Sequence, residues 1–397
     1  MIVILLLLLV LLVPDLYVWH HLLRNTHWAW QLLYWIPFVA TIALMLLMRS
    51  PWNEPWMFRG GLTLILCFSL PKFLFFLCSI IGQIIGRFAP MGQHVMDGVG
   101  GVMAVLMFGI TIYGLFFGWK QMTVNEVELA FDDLPKEFDG YRIVQLSDMH
   151  IGTYGSAPEI VSEIAETVNT LNADLICFTG DLVNGSPDEL APFVKTLTKM
   201  KSKDGIYSIM GNHDYCMYGG AKKSVKKEIS RLQSMEREMG WHLLLNDNVM
   251  LHRGNDSIML AGVENSSKPP FPDYGDLKKA LYSPSLGRAG EGTFTILLSH
   301  DPTHWQREVL PESSVQLQLS GHTHSTQFRM FGWSPASFTY KEYAGTYEMF
   351  PDGTETFNPE APSSASRKLF VCTGTGGNLP FRVGVKPEIV VITLRCK

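Results

Sequence analysis

An α/β domain with two central sheets flanked by helices, preceded by a multi-span helical membrane region, is the fold class this sequence predicts. Two observations carry the prediction. Residues 1–120 hold nine of the 69 Asp, Glu, Lys and Arg side chains, and residues 121–397 hold the other 60, so the two parts are built for lipid and for water. From Tyr141 onward, short β-rich runs alternate with amphipathic stretches, the pattern of a sheet with helical connections. We therefore expect a membrane domain over 1–120 and a second domain over 121–397.

About four spans are expected in the first part. Trp28 to Met48 and Gly98 to Trp119 are free of charged side chains and long enough to cross roughly 30 Å of hydrocarbon as helices. Residues 1–23 are apolar but interrupted by Pro14, Asp15 and His20-His21. No basic residue precedes that run and no small-x-small site follows it, so it reads as a retained helix rather than a cleaved signal. Gly61 to Ile85 carries Pro71-Lys72 near its middle. That pair suits a kinked span, a re-entrant pair, or a lysine turned into the bundle. Basic residues flanking the spans favour, by a single charge, a cytoplasmic second domain.

In the second part, Arg142 to Leu146, Leu175 to Thr179, Tyr207 to Met210, Phe294 to Leu298 and Val315 to Leu319 read as strands. Pro158 to Asn169 and Leu190 to Met200 read as amphipathic connections. Ser257 to Val263, Lys368 to Cys372 and Ile389 to Leu394 suggest a second sheet packed on the first. Asn265 to Gly292 and Gly332 to Ser366 are Pro-, Gly- and aromatic-rich loops that either cover the catalytic edge or are plain surface excursions. The six cysteines have no paired spacing, which argues against both a disulfide framework and a Cys-rich zinc site. Residues 121–397 carry 26 basic and 34 acidic side chains, a balance that disfavours a nucleic-acid partner.

Each strand-like run ends in metal-ligand chemistry. Ser147-Asp148-Met149-His150, Gly180-Asp181, Gly211-Asn212-His213-Asp214, Ser299-His300-Asp301 and Gly321-His322-Thr323-His324 follow apolar runs, so a shared sheet edge would gather them. Carboxylate oxygen and imidazole nitrogen together suit a pair of borderline divalent cations. Alternate residues of an extended chain point the same way, which would let Asp148 converge with His150, and His322 with His324.

These five ordered blocks resemble the calcineurin-like metallophosphoesterases over roughly residues 140–397, and in particular a membrane-anchored bacterial branch similar to YkuE-type phosphoesterases. The resemblance implies a four-layer αββα sandwich with two divalent metal ions, manganese, iron, zinc or similar. It implies that Asp148, His150 and His324 bind one, that Asn212, His300 and His322 bind the other, and that Asp181 bridges them. His213, next to Asn212, is placed to donate a proton to the leaving oxygen or to neutralise charge on the phosphoryl group, with Asp214 orienting its ring through a hydrogen bond. Gly374-Thr375-Gly376-Gly377-Asn378 with Arg382 resembles a segment of the same branch that could reach a phosphate, or forms a glycine turn with a structural arginine. His304 reads as an exposed loop residue or a support for the metal ligands, and Asp301 as either a metal-site residue or a helix cap.

The expected function is hydrolysis of a phosphoester or pyrophosphate, with a lipid-linked substrate suggested by the spans and location in a bacterial inner (cell) membrane. The alternative is a catalytically inactive interaction module, or the regulatory domain of a membrane protein. The complete ligand set argues against inactivity. The scarcity of polar residues in the spans, Lys72 apart, argues against transport.

Overall fold

The computed structural model describes residues 2–48, 50, 54–218, 224–282, 292–349 and 366–397. It divides into two compact units, Met1–Phe116 and Phe117–Gly219 with Lys223–Lys397. The first unit contains helices α1 (Ile2–Val18), α2 (Trp28–Leu47), α3 (Pro55–Leu64), α4 (Leu70–Gly86) and α5 (Gly92–Phe116).

Among the described residues, three segments are long and apolar enough to cross a bilayer: Trp28–Leu47, Trp56–Gly86 and Gly92–Lys120. The first expected span is helical, α1 running directly into a π-turn at Trp19–Leu23. Helices α3 and α4 are continuous through a π-turn, Ile65–Ser69, directly before Leu70 and Pro71. Proline lacks an N–H to donate, and one wider turn absorbs the missing bond without breaking the helix.

Lys72 turns inward. Its Nζ lies 2.7 Å from Asp15 Oδ1 and 4.5 Å from the centre of the Tyr34 ring, and Asp15 is 1 % exposed. The Tyr34 hydroxyl donates to the Asp15 carbonyl oxygen at 2.8 Å. A second polar group joins Tyr17, His21, Ser79, Gln83 and Asp97, so these helices hold more polar chemistry than the sequence led us to expect.

The second unit stacks two six-stranded sheets. Their strands are β1 (Thr123–Phe131), β2 (Arg142–Leu146), β3 (Leu175–Phe178), β4 (Ile206–Ser208), β5 (His242–Leu243), β6 (Asp247–Arg253), β7 (Asp256–Gly262), β8 (Thr295–Leu298), β9 (Leu317–Ser320), β10 (Gly345–Met349), β11 (Arg367–Val371) and β12 (Glu388–Cys396). One sheet has the order β1-β12-β2-β3-β4-β5 and the other β10-β11-β9-β8-β7-β6. Strands β2, β3 and β4 are mutually parallel, as are β7, β8, β9 and β11.

Period-two alternation builds the layers. Ile143, Leu175, Cys177, Leu260, Ile296, Leu298 and Phe370 fill the space between the sheets. Their neighbours Val144, Ile176 and Phe178 face helix α6 (Pro158–Thr170), while Ala261, Leu297 and Val371 face Trp305 and Val309. Helix α6 buries Ile160, Val161, Ile164, Ala165 and Val168, one stripe at helical spacing, and starts with proline at its first turn. The result is the four-layer αββα arrangement.

Two expectations need correction. Leu190 to Met200 is not one helix: short 3₁₀ turns lead into α7 (Val194–Leu197), because Pro192 interrupts the pattern. Sheet membership is the other: Ile389 to Leu394 belongs to the first sheet, where β12 pairs β1 in parallel and β2 antiparallel, whereas Phe294 to Leu298 and Val315 to Leu319, read with the first sheet, supply β8 and β9 of the second. Hydrophobic period cannot say which sheet an apolar strand joins, since strands buried on both faces look alike.

Lys72→Met is expected to destabilise the helical unit by about 3–5 kcal/mol by leaving the Asp15 carboxylate buried and unpaired. Thermal unfolding of the full chain in detergent should show most of that loss recovered in Asp15→Asn/Lys72→Met. Equal destabilisation by single and double variants would mean that the pair does not organise the bundle.

Candidate metal centre

Because β2, β3 and β4 run parallel in one sheet, and β8, β9 and β11 in the other, their carboxyl ends share one edge. The loops leaving them are tied backbone to backbone. Asp148 N–H donates to Gly180 O at 2.8 Å, His150 N–H to Asp181 O at 3.0 Å, Gly321 N–H to His300 O at 2.9 Å and Gly376 N–H to Asp148 O at 3.0 Å. Across the sheets, the Asp148 carboxylate accepts from His322 N–H at 3.0 Å. Gly180, at φ 94°, passes so close to Gly211 that a Cβ would stand 2.5 Å from its nitrogen. Only glycine allows that approach.

Two overlapping groups result: Asp148, His150, Asp181 and His324 in one, Asp181, His300 and His322 in the other, the offered ligand atoms of each lying within 4.8 Å of one another. Asp181 Oδ2 is 3.5 Å from His150 Nε2 and 3.2 Å from His300 Nε2. His150 Nε2 faces His324 Nε2 at 3.1 Å, and His322 Nδ1 faces His300 Nε2 at 3.3 Å. Two nitrogens ligating one cation at about 2.1 Å would stand roughly 3 Å apart.

Convergence does not come from extended alternation. Asp148, His150, Asp181, His322 and His324 all have left-handed backbones, with φ of 51°, 45°, 59°, 71° and 48°. Each such residue costs about 1–2 kcal/mol. Single left-handed turns, one after another, fold the strand ends inward, which corrects the expectation drawn from the strand repeat.

Burial and opposing charges set the electrostatics. Burial pushes the Asp148 carboxyl up to about 6, with the Asp181 charge adding to it and His300 opposing. Asp181 is buried too, but His300, His213 and His150 together hold it well below the usual carboxylate range. Burial alone would lower His300, yet Asp181, Asp148 and the Thr179 carbonyl lift it to about 10. Burial drives His322 down to about 4 and His324 well below the ordinary histidine range.

The residues fit divalent cations. Asn212 Oδ1 is a buried acceptor that receives no hydrogen bond. Neighbours fix which ring nitrogens face inward: His300 Nδ1–H donates to Thr179 O at 2.7 Å, and His322 Nε2 meets the Tyr340 hydroxyl at 2.9 Å. Support of this kind orients metal-ligating histidines.

Asp214 does something other than expected. Its carboxylate accepts from the N–H groups of Asp181 at 2.7 Å, Leu182 at 2.8 Å, Val183 at 3.1 Å and Gly211 at 2.9 Å. The His213 ring is instead held by Asn184, whose carbonyl lies 2.8 Å from Nδ1, and by Asn378 Nδ2, 3.2 Å from Nε2. Burial and the Asp181 charge push the Asp214 carboxyl up to about 7 against the pull of those N–H groups.

Arg382 also moves from substrate to scaffold. It is 1 % exposed, and its guanidinium donates to the carbonyls of Thr373, Gly374, Gly376 and Lys386 at 2.5–3.3 Å, clamping the glycine turn that abuts Asp148. His304 is fully buried rather than exposed, spanning Ser299 Oγ at 2.9 Å and Glu308 Oε2 at 3.2 Å. Asp301 accepts from Thr303 N–H at 2.8 Å and lies 3.9 Å from His322, so it both caps and faces the cluster. Asn184, Tyr218, Phe271 and Tyr340, unmarked in the sequence, line the site: Tyr218 lies 4.5 Å from the His213 ring and Phe271 4.9 Å from His322.

The profile of the calcineurin-like phosphoesterase family matches residues 141–326. A Bacillus subtilis relative, the uncharacterized metallophosphoesterase YkuE, is 30 % identical over 268 residues, covering 66 % of this chain and 82 % of the relative. The transmembrane protein with metallophosphoesterase domain of Danio rerio is 28 % identical over 347 residues, 84 % of this chain and 72 % of that one. Among solved structures, a metallophosphoesterase from Sphaerobacter thermophilus aligns at TM-score 0.26 and 16 % identity, over 60 % of this chain and 77 % of that one.

Asp214→Asn is expected to lower stability by about 2–3 kcal/mol and to weaken manganese binding, because an amide cannot accept all four N–H bonds. Thermal unfolding and titration calorimetry of the full chain measure both. Unchanged stability and affinity with activity alone lost would return Asp214 to the ring-orienting role.

Proposed function

Since the chain belongs to the calcineurin-like phosphoesterase family, we propose that its second unit is a two-cation hydrolase of phosphomonoesters, phosphodiesters or pyrophosphates. Asp148, His150 and His324 would hold one cation, Asn212, His300 and His322 the other, with Asp181 shared. The observation that carries this reading is the membership of Asp181 in both ligand groups. When bound, the cations supply Lewis acidity that lowers the pKa of a water and draws charge from the phosphoryl oxygens.

This chain's own residues do the rest. The His213 N–H donates to Asp181 Oδ1 at 2.8 Å, which leaves Oδ2 directed between His150 and His300. With Nδ1–H bound to the Asn184 carbonyl, the His213 ring would have to be an imidazolium to deliver a proton from Nε2 to the leaving oxygen, which would there replace the Asn378 amide. Phe271 and Tyr340 close the His322 side against water. Three apolar segments of bilayer-crossing length support a membrane location, and with it a lipid-linked phosphate as substrate.

The test is hydrolysis of bis-p-nitrophenyl phosphate and p-nitrophenyl phosphate by the full chain in detergent, metal-stripped and then with manganese. Activity should require metal, vanish in Asp181→Ala, and fall about 100-fold or more in kcat in His213→Asn with metal content unchanged. Metal-independent turnover, or full activity in either variant, would refute the proposal. Equal turnover of lipid-presented and soluble diesters would remove the lipid-linked assignment alone.

A further inference from the structure

The two most exposed large apolar side chains of the second unit, among the described residues, sit on one short lobe beside the candidate metal centre. Phe331 is 100 % exposed and Phe338 82 %, and Trp333, 47 % exposed, packs edge-on against Phe338 at 5.5 Å. Water is a poor solvent for three such rings, and burying them would gain about 25 cal/mol for every Å² covered.

The lobe is built to hold them out. Met330 and Trp333 exchange N–H···O bonds of 2.8 and 3.0 Å around Phe331 and Gly332, which lie at φ 51° and 81°. A two-residue turn with both central residues left-handed normally takes Asn or Gly first, and a phenylalanine there is disfavoured by about 1–2 kcal/mol. Its ring contributes no packing within the unit in return. The base is pinned instead: buried Ser334 donates to Ser325 O at 2.6 Å, and Arg329 N–H to Val383 O at 2.8 Å. Ser325 directly follows His324, and Tyr340, at the other end of the lobe, touches His322.

Charge indicates the occupant. Residues 325–341 contain exposed Arg329 and Lys341 and no acidic side chain, and the next residue, Glu342, is buried against Gln306, although residues 121–397 as a whole carry eight more acidic than basic groups. Exposed Trp and Phe flanked by cationic residues match the boundary between acyl chains and anionic headgroups. The chain itself brings such a boundary: three apolar segments of crossing length precede this unit, and residues 117–122 join α5 to β1.

We propose that the lobe carrying Phe331, Trp333 and Phe338 inserts into the headgroup boundary of a lipid bilayer and thereby presents the metal-lined edge to phosphates at the membrane surface. Insertion itself requires no metal and no turnover, so it stands or falls apart from the hydrolase assignment.

The experiment uses the full chain with Ser337→Cys, in a Cys396→Ser background, labelled with an environment-sensitive fluorophore. It is reconstituted in phosphatidylcholine–phosphatidylglycerol vesicles containing doxyl-labelled lipid. Ser337 is exposed beside the three rings and leaves them intact, and the same label at Glu166→Cys, on the exposed face of α6, is the control. The 337 label should emit to the blue of the control and be quenched by the doxyl lipid, and Phe331→Asp/Phe338→Asp should abolish both effects. A 337 label as hydrated and unquenched as the control would overturn the proposal. A blue shift without doxyl quenching would also overturn it, and would identify a protein surface, such as a second copy of this chain, as the occupant.

Discussion

A single buried carboxylate holds the candidate metal-binding loops in place. Asp214 collects four backbone N–H groups, three from Asp181, Leu182 and Val183 and one from Gly211, and so joins the loop after β3 to the loop after β4. Those N–H groups lie where the chain leaves its sheet and has no ladder partner, and unpaired they would each be costly to bury. The tie also points Asp181 into the site: its backbone is held from behind by Asp214, and its side chain is left to face His150 and His300. A carboxylate at this spot therefore acts on the metal centre without touching a ligand side chain.

The same economy governs the left-handed ligands. Five candidate ligands in disfavoured backbone conformations, surrounded by glycines that permit close passage, form a site whose local conformational preferences are opposed by the packing around it. The opposition is local. Apolar strands on either side are fully buried and well ordered by alternation, and they supply the rigidity that holds the turns in shape.

Much of this was legible in the sequence. Arg142 to Leu146 and the helix from Pro158 were readable to within a residue, because apolar period and a proline at the first turn are strong local signals. Ligand candidates were readable because each closes an apolar run. What escaped was non-local. Sheet membership of β12 depends on pairing with β1, more than 250 residues away. Asp214, Arg382 and His304 are polar residues whose partners are mostly backbone groups or neighbours brought close by folding, so composition around them says nothing of their roles. Asn184 and Tyr340 carry no motif and are placed by loops alone. In the helices, Asp15 and Lys72 looked like isolated interruptions of two separate spans until packing paired them.

Everything about the site rests on its being a two-cation cluster, and the most direct measurement is the number of manganese ions bound per folded chain, by calorimetric titration of metal-stripped protein beside Asp181→Ala. The account expects two ions in the native chain and a sharp loss of affinity for both when the shared carboxylate is removed. One ion or none in a folded native chain, or an Asp181→Ala variant that still binds a pair, would contradict it.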